Sequence, residues 1–520
     1  MALLGIFIKN AYRIKDFTTS IKDKREDSLT QQEKTLKKLL SKAENTDFGK
    51  HYGLSDILES KNILESFQQN VPIFDYNKMY NEWWKRTIEG ESNVAWPGSV
   101  KYFALTSGTS EAKSKQIPIT KEMLNSIKKT CIKQLATGPR YGFSPDFYEK
   151  GILMVGGSTN LDNQGEHKQG DLSGISAGNI PFWFEHFYKP GKKISKEKEW
   201  QVKLNEIVKS APSWDIGIIV GVPAWVQIIL ERIIETYNLK TIHDIWPNLN
   251  IYVHSGVSFA PYRKSFEKLF AHPIIYNDSY LASEGYIAFQ EFQDREGMRL
   301  NLNNGLFFEF IPFTNENFDA EGSILPTAKA LHIGQVEKNK EYALLLSTNA
   351  GAWRYAIGDT IRFTSISQSE IVITGRTKHF LSICGEHLSL ENISRAVEML
   401  NEEMHIQVRE FTITGIKHGS MWAHQWYLGI DNPPCDGECL AKKMDKYLCE
   451  LNEDYRVERL EAIKEVYVKI LPSDVFAQWM KNHHKEGSAN KFPRVLKGKL
   501  IESWNEHLNN LGYSECKQQY

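Results

Sequence analysis

Residues 216–233 decide the fold, and they read Ile-Gly-Ile-Ile-Val-Gly-Val-Pro-Ala-Trp-Val-Gln-Ile-Ile-Leu-Glu-Arg-Ile. The first five residues form a short apolar run that is typical of a buried strand. After this run, Trp225, Ile228, Ile229 and Ile233 recur at a helical spacing. The segment therefore predicts a buried strand that is followed directly by a helix.

Similar apolar runs occur on both sides of this unit, at residues 152–155, 249–253 and 274–276. Strands that alternate with helices favour a parallel sheet with crossover helices. Two further strand-like runs follow, at 307–311 and 342–347. We therefore expect an α/β fold whose large N-terminal domain has mixed sheets and flanking helices.

The character of the sequence changes after Arg376. A basic and polar segment leads into a helix-like stretch at 391–401, a strand-like stretch at 425–430 and a helix-like stretch at 439–451. This pattern predicts two domains. Residues 1–376 form the N-terminal domain, and residues 377–520 form a smaller α+β C-terminal domain.

The composition of the chain excludes several classes of function. The chain has 520 residues with 63 basic and 64 acidic side chains, and this balance argues against a general nucleic-acid binder. No run reaches the roughly 20 apolar residues that span a membrane. The 6 cysteines do not make a disulfide framework, and Cys435 and Cys439 lack a second pair at zinc spacing. We expect a reduced, cytoplasmic monomer with no membrane or nucleic-acid partner.

A hydroxyl-rich stretch, Thr106-Ser-Gly-Thr-Ser110, follows the strand-like run at 102–105. Hydroxyl groups donate hydrogen bonds to anions, and glycine lets backbone N–H groups approach closely. Lys113 and Lys115 add positive charge, although the spacing is not that of a Walker A motif. The stretch is consistent with a phosphate loop at Ser107, Gly108, Thr109 and Ser110, and a plain turn is the alternative.

Three further motifs carry carboxylates or a lysine. Tyr280 precedes Glu284 by four residues, which suits a base-stacking ring and a magnesium ligand. Asp359 follows Gly358, and a carboxylate after a glycine turn accepts ribose hydroxyls in dinucleotide sites. Lys491, on a loop near the end of the chain, would reach a reacting carboxylate or phosphate. The alternatives are a buried tyrosine with a surface glutamate, an ordinary Gly-Asp turn, and a solvated lysine.

Taken together in this order, the motifs resemble the acyl-adenylating superfamily and, within it, the auxin-responsive Gretchen Hagen family of acyl acid amido synthetases. The resemblance covers nearly the whole chain. Its motifs are Asn45–Lys50, Phe67–Tyr76, the loop at 106–110, Tyr280-x-x-Ser283-Glu284, Arg354-Tyr355-x-x-Gly358-Asp359, Leu451-Asn452-x-x-Tyr455 and Lys491-x-Pro493-Arg494. The chain is shorter than most plant members, which favours a bacterial relative.

The resemblance implies a two-step reaction that uses ATP and Mg²⁺. A small-molecule carboxylic acid attacks the α-phosphate of ATP and gives acyl-AMP and pyrophosphate. The amine of an amino acid then attacks the acyl carbon, forms an amide and releases AMP. The C-terminal domain of the superfamily is mobile and rotates between these steps, and we place the hinge near residues 375–378.

The resemblance also implies roles for single residues. Glu284 would bind Mg²⁺, and Lys491 would approach the α-phosphate as the second catalytic residue. Tyr280 would stack on adenine, Asp359 would hold the ribose hydroxyls, and Arg376 would lie near the hinge and the nucleotide. The remaining nucleotide-binding residues would be Ser107, Gly108, Thr109, Ser110, Gly256, Val257 and Ser283.

Some residues depart from the family pattern. Glu111 stands near where the family has a second glycine, and Trp353 and Ala356 replace a more usual tyrosine and arginine. These departures bear on the acyl and amino-acid substrates more than on adenylation. Residues 156–190, which include Gly174, Gly178, Trp183, Phe184 and Phe187, would wall a pocket for an aromatic acid or form ordinary core.

Two other functions stay open. An adenylate-forming ligase with a thiol acceptor such as coenzyme A shares the first step and differs only in the acceptor. A protein that binds nucleotide or acid without turnover is the third hypothesis, and the presence of Glu284, Asp359 and Lys491 argues against it.

Overall fold

The computed structural model describes residues 27–106, 115–256, 259, 262–319, 322–377, 388, 390–418, 421–452, 455–456, 459, 463–483 and 492–513. These residues fall into two compact units. The first unit comprises residues up to 257, 268–317 and 326–372, and the second comprises 258–267, 318–325 and 373–520.

The described residues contain three sheets, whose strands are numbered in chain order. They are β1 Tyr102–Thr106, β2 Lys115–Ile119, β3 Gly151–Met154, β4 Asp162–Gln164, β5 His167–Gly170, β6 Tyr188–Lys189, β7 Ile216–Gly221, β8 Ile251–Ser255, β9 Ile275–Ala282, β10 Gly285–Phe289, β11 Met298–Leu300, β12 Leu306–Pro312, β13 Glu341–Thr348, β14 Tyr355–Ser365, β15 Glu370–Arg376, β16 Glu410–His418, β17 Met421–Gly429 and β18 Ile463–Leu471.

An 11-stranded mixed sheet dominates the first unit, with the strand order β12-β13-β14-β15-β11-β10-β9-β8-β7-β3-β6. Strands β6, β3, β7, β8 and β9 pair in parallel, as the alternating strand and helix pattern predicts. The strands from β9 to β11 and from β12 to β14 pair antiparallel. A smaller sheet has the order β2-β1-β5-β4. The predicted mixed sheets are confirmed.

The helices of the first unit cover these sheets. They are Ser28–Ala43, Asp47–His51, Leu54–Glu59, Ile63–Asn70, Tyr76–Met79, Lys85–Ile88, Lys121–Leu135, Leu172–Gly178, Lys192–Ser195, Trp200–Ser210 and Pro223–Thr236.

The helix Pro223–Thr236 begins with proline, which tolerates the first turn because its missing N–H needs no partner there. It follows β7 directly, and Ile229 and Ile233 are buried. The strand and helix predicted at 216–233 are therefore confirmed.

The second unit has its own core. The sheet β16-β17-β18 joins an antiparallel pair to a parallel one. Its helices are Arg263–Glu267, Leu390–Met404, Gly437–Leu451, Asp474–Asn482 and Lys499–Asn510. Within the described ranges, none of the helices combines the length and apolar character that crossing a bilayer requires.

Candidate nucleotide and acid site

Tyr280 lies inside a strand. Its motif was expected to follow a strand that ends at residue 276, but β9 continues to Ala282. The pairing of β9 with β10 is irregular at this point, because Leu281 pairs with Tyr286 and Tyr280 pairs with Ala288. One extra residue on β10 therefore bulges beside Tyr280, and bulges occur often next to active sites because they redirect side chains.

Asp359 also lies inside a strand. The predicted glycine turn before it is wrong, since Gly358 and Asp359 both belong to β14. Ala343 pairs with Thr360 and Leu345 pairs with Ala356, so three residues of β14 face one residue of β13. Gly358 has a φ of 88°, a conformation that favours glycine. The backbone at Gly358 and Asp359 is therefore a bulge within a strand and not the expected turn.

The side chains of Tyr280 and Asp359 meet. The Tyr280 hydroxyl group donates a short hydrogen bond to Asp359 Oδ2. Three strands lie between β9 and β14 in the sheet order, and neighbouring strands are about 4.8 Å apart, so a flat sheet would hold them about 19 Å apart. A tyrosine and an aspartate cannot bridge that distance, and the sheet must therefore curl until β9 and β14 face one another.

Gly256 and Glu284 are the other predicted residues near Tyr280. Ser255 pairs with Ser279, so Gly256, which has a φ of 90°, follows β8 beside Tyr280. Ala282 pairs with Gly285 across the turn formed by Ser283 and Glu284. Glu284 is only 7% exposed, whereas carboxylates in turns are usually exposed to solvent. This burial marks Glu284 as a candidate functional residue.

Other predicted residues are not placed with this group. Arg376 is the last residue of β15 and belongs to the second unit. Ser107, Gly108, Thr109, Ser110, Val257 and Lys491 lie outside the described residues. The strands on either side of residues 107–114 are described, and Thr106 pairs with Lys115. Among the described residues, no group of three or more His, Cys, Asp or Glu side chains is placed to hold a metal ion.

An apolar cluster, which we call the Phe184 cluster, covers one face of the parallel strands. Its half-buried members are Leu135, Tyr141, Phe143, Met154, Phe184, Val220, Val253 and Ile275. They pack on the buried side chains of Phe147, Tyr148, Ile152, Ile218 and Ile251.

Two polar side chains anchor Tyr141 at the edge of the Phe184 cluster. Asn277 Nδ2 donates to the Tyr141 hydroxyl oxygen at 2.8 Å, and Gln134 Nε2 donates to Asn277 Oδ1 at 2.7 Å. A half-buried apolar surface with a few fixed polar groups has the composition of a small-molecule pocket.

The residues between 156 and 190 that were suggested as pocket walls have different positions in the structure. Phe184 belongs to the Phe184 cluster, whereas Phe187 is buried core. Gly174 is structural, because a Cβ atom there would lie 2.2 Å from the backbone oxygen of Ser158. Beneath this loop, Lys203 Nζ donates to the Gly156 carbonyl at 3.1 Å, and burial lowers the pKa of Lys203.

Arg354 has a role that the sequence did not reveal. It is buried with a φ of 40°, and its guanidinium group contacts both carboxylate oxygens of Glu309 at 3.0 Å. Its Nη1 donates to the carbonyl groups of Gln68 at 2.8 Å and Val71 at 2.7 Å. Arg354 thus ties the N-terminal helices to the strand that carries Asp359. The spacing of residues along the chain does not predict the partner Glu309, which is 45 residues away from Arg354.

Arg494 plays a comparable part in the second unit, three residues after Lys491. Its Nη1 donates to Glu410 Oε2 at 2.5 Å and to the Phe411 carbonyl at 3.0 Å, and its Nη2 lies 3.3 Å from the Tyr262 hydroxyl oxygen. Backbone hydrogen bonds between Ile413 and residues 494 and 496 hold the same segment against β16. The chain directly after Lys491 is therefore fixed.

Comparisons with known proteins identify the family. A profile of the GH3 family N-terminal domain matches residues 18–204 and 159–274, the central domain matches 300–376, and the C-terminal domain matches 391–499. Indole-3-acetic acid-amido synthetase GH3.4 of Arabidopsis thaliana is 22% identical, over 89% of each chain.

Solved structures share the fold. The GH3.15 acyl acid amido synthetase is 15% identical with a TM-score of 0.74, covering 92% of this chain and 93% of that one. A 2-hydroxyisobutyryl-CoA ligase in complex with 2-HIB-AMP is 12% identical with a TM-score of 0.61, covering 92% and 91%. The prediction of an α/β acyl-adenylating fold with N-terminal and C-terminal domains is confirmed.

Proposed function

Because the chain belongs to the GH3, or Gretchen Hagen, family, we propose that it is an ATP-dependent ligase that joins a carboxylic acid to the amine of an amino acid through an acyl-AMP intermediate. Family membership over most of the chain confirms the predicted enzyme class, an amide-forming ligase. The observation that carries the proposal to particular residues is the contact between Tyr280 and Asp359, two motif residues that are 79 positions apart.

Adenylation requires that the α-phosphate of ATP is held beside the acid. Asp359 is half-buried and a carboxylate, so it can accept hydrogen bonds from both ribose hydroxyl groups. Gly256 has no side chain and leaves room for the nucleotide beside Tyr280. We assign the phosphates to Ser107, Gly108, Thr109 and Ser110, and the α-phosphate to Lys491. These roles rest on the family resemblance.

Glu284 fits the ordinary chemistry of magnesium in proteins. Mg²⁺ takes one or two carboxylates and completes its coordination with phosphate oxygens and water, so a single buried carboxylate is a sufficient protein ligand. When bound, Mg²⁺ neutralises the charge that develops on the transferring and leaving phosphates. The pairing of Ala282 with Gly285, which closes the two-residue turn that carries Glu284, supports this role.

The second step needs an unprotonated amine close to the acyl carbon, which is chiefly a proximity effect. The amine lone pair forms the new C–N bond, the C–O bond to AMP breaks, and AMP keeps the electron pair. The amino group of the amino acid loses one proton to solvent before the attack and a second as the amide forms.

We assign the acid to the Phe184 cluster. The aromatic and branched side chains suit a flat or branched apolar acid, and they would exclude water from the reacting carboxylate. The Tyr141 hydroxyl group, which Asn277 holds in place, would form a hydrogen bond with a polar substituent on the acid.

The test uses the purified chain with Mg-ATP, a panel of aryl, indolyl and fatty acids, and pooled amino acids. We expect pyrophosphate that depends on the acid, and an amide product by mass spectrometry. Glu284→Ala and Lys491→Ala should each lower pyrophosphate formation by about 100-fold or more, as loss of a charge-stabilising group does. Unchanged product formation in both variants would refute the site.

Two other outcomes would replace the proposal. Pyrophosphate that depends on the acid, together with a thioester when coenzyme A is present and no amide, would identify an acyl-CoA ligase. Tight nucleotide binding without pyrophosphate from any acid would identify a binding protein.

A further inference from the structure

We infer that the hydroxyl group of Tyr280 orients the carboxylate of Asp359, so that Tyr280 is a positioning residue for recognition of the ribose. The inference rests on the proposed function and adds to it. The family resemblance implies that the ring of Tyr280 stacks on adenine. The role inferred here belongs to its hydroxyl group.

The contact has the properties of an orienting hydrogen bond. Tyr280 is 5% exposed, and its hydroxyl group donates to Asp359 Oδ2. An ionised carboxylate can only accept, and hydrogen bonds to it are shorter and about twice as strong as those between neutral groups. The bond therefore selects one rotamer of Asp359 before a nucleotide arrives.

The backbone is irregular on both sides of this contact. Ile287 is the extra residue on β10 beside Tyr280, and residues 357–359 of β14 face the single residue Leu344. Gly358 takes a φ of 88° within the second bulge. Bulges redirect side chains, so we attribute the direction of both side chains to these two bulges.

The inferred role requires Asp359 to accept from Tyr280 and from the ribose together. A carboxylate has about four lone-pair positions, so it can accept from Tyr280 and from other donors at the same time. Asp359 is half-buried rather than fully enclosed. With its rotamer already fixed, it can accept from the 2′ and 3′ hydroxyl groups without the entropic cost of ordering a mobile side chain.

Tyr280→Phe tests the inference, because phenylalanine keeps the ring and removes only the hydroxyl group. Calorimetry would measure the binding of ATP, 2′-deoxy-ATP and 3′-deoxy-ATP to the full chain. We expect the affinity for ATP to fall about tenfold, the usual effect of losing one hydrogen bond to a charged group. The preference for ATP over the two deoxy nucleotides should fall with it. Adenine recognition, measured as preference for ATP over GTP, should not change.

Tyr286→Phe is the matched control. Tyr286 is also 5% exposed in the same pair of strands, and its hydroxyl group donates to Gln134 Oε1 at 2.5 Å rather than to Asp359. Like Tyr280→Phe, this variant loses one buried hydroxyl group and its hydrogen bond, so its effects on packing and stability should be similar. It should keep the preference for ribose.

A double-mutant cycle separates positioning from a general structural role. In an Asp359→Ala background, Tyr280→Phe should change ATP affinity by less than about twofold, since the acceptor of its hydrogen bond is already lost. Additive losses, or unchanged ribose preference in Tyr280→Phe, would overturn the inference. Binding without turnover would still test it, so failure of the ligase activity and failure of this pair are distinguishable.

Discussion

At the scale of single residues, Arg354 and Glu309 show how an interior charge is stabilised. Glu309 is 1% exposed, and its carboxylate depends on Arg354 and on Gln68, whose Nε2 donates to it at 2.9 Å. Removing one member of a buried ion pair leaves the other charge uncompensated, which typically costs about 3–5 kcal/mol.

Arg354→Met should therefore destabilise the protein by about that amount, measured as a lower midpoint of thermal unfolding. The double variant Arg354→Met with Glu309→Gln should recover part of the loss, because no charge is then left in the interior. An Arg354→Met midpoint equal to that of the wild type would contradict this interpretation.

Gly285 is the second residue whose identity the structure requires. It has a φ of 148°, and a Cβ atom would lie 3.0 Å from Leu306 Cδ2 and 3.3 Å from Met123 Sδ. Gly285→Ala should shift the turn that carries Glu284 and raise the Mg²⁺ concentration for half-maximal pyrophosphate formation by about tenfold, as a weakened ligand does.

Gly165→Ala is the control for Gly285. Gly165 has a φ of 62°, and a Cβ atom there would meet nothing within 4 Å. Gly165→Ala would strain the backbone at this positive φ but would cause no clash. The Mg²⁺ dependence of this variant should match that of the wild type. Equal Mg²⁺ dependence in both variants would show that the close approach at Gly285 does not position Glu284.

At the scale of elements, the segment after Lys491 is held by Arg494. The Glu410 carboxylate neutralises its guanidinium group, which also stacks 4.1 Å from the centre of the Phe411 ring. Arg494→Gln removes a charge-assisted contact worth about 1.5–3 kcal/mol, so pyrophosphate formation should fall roughly 10- to 100-fold if the segment positions Lys491. Amide formation from supplied acyl-AMP should fall much less.

Arg459→Gln is the matched control in the same unit. Arg459 pairs with Asp445 at 2.7 Å through Nη2, and its Nη1 donates to the Ile463 carbonyl. It should lower stability without separating the two half-reactions. If both variants lowered both half-reactions equally, Arg494 would be structural only.

Elements were the level at which sequence predicted structure best. Helical spacing at 225–233 and the apolar run at 216–220 depend on neighbours in the chain, and the structure confirms both. The bulges at Tyr280 and Asp359 depend on register between strands that are distant in sequence, so the expected turn at Gly358 was wrong. The sequence singled out Tyr280 and Asp359 as motif residues, but their contact depends on the curl of the sheet, which spacing along the chain does not predict.

At the scale of the whole molecule, three histidines should make stability depend on pH. Burial lowers the pKa of His167, His243 and His332 below the usual 6.5. His243 is fixed in a neutral form, since its Nδ1 accepts from the Ala271 N–H at 2.9 Å while its Nε2 lies 2.8 Å from the Leu249 carbonyl oxygen.

The unfolded chain therefore binds protons near pH 6.5 that the folded chain does not. Stability should be full above about pH 7 and should fall as the pH drops below the unfolded pKa of about 6.5 toward the lower pKa values of the folded chain. Thermal unfolding across this range would show it, and His243→Gln should flatten the slope. A midpoint that rises on acidification from pH 7 to 6 would contradict the assignment.

The route through acyl-AMP is the central claim, and an isotope experiment tests it most directly. The acid would carry ¹⁸O in both carboxylate positions, and AMP from a reaction with Mg-ATP and an amino acid would be analysed by mass spectrometry. Attack of the carboxylate on the α-phosphate predicts that one heavy oxygen ends in AMP and that the amide keeps the other. AMP without label, or label in inorganic phosphate beside ADP, would contradict the account.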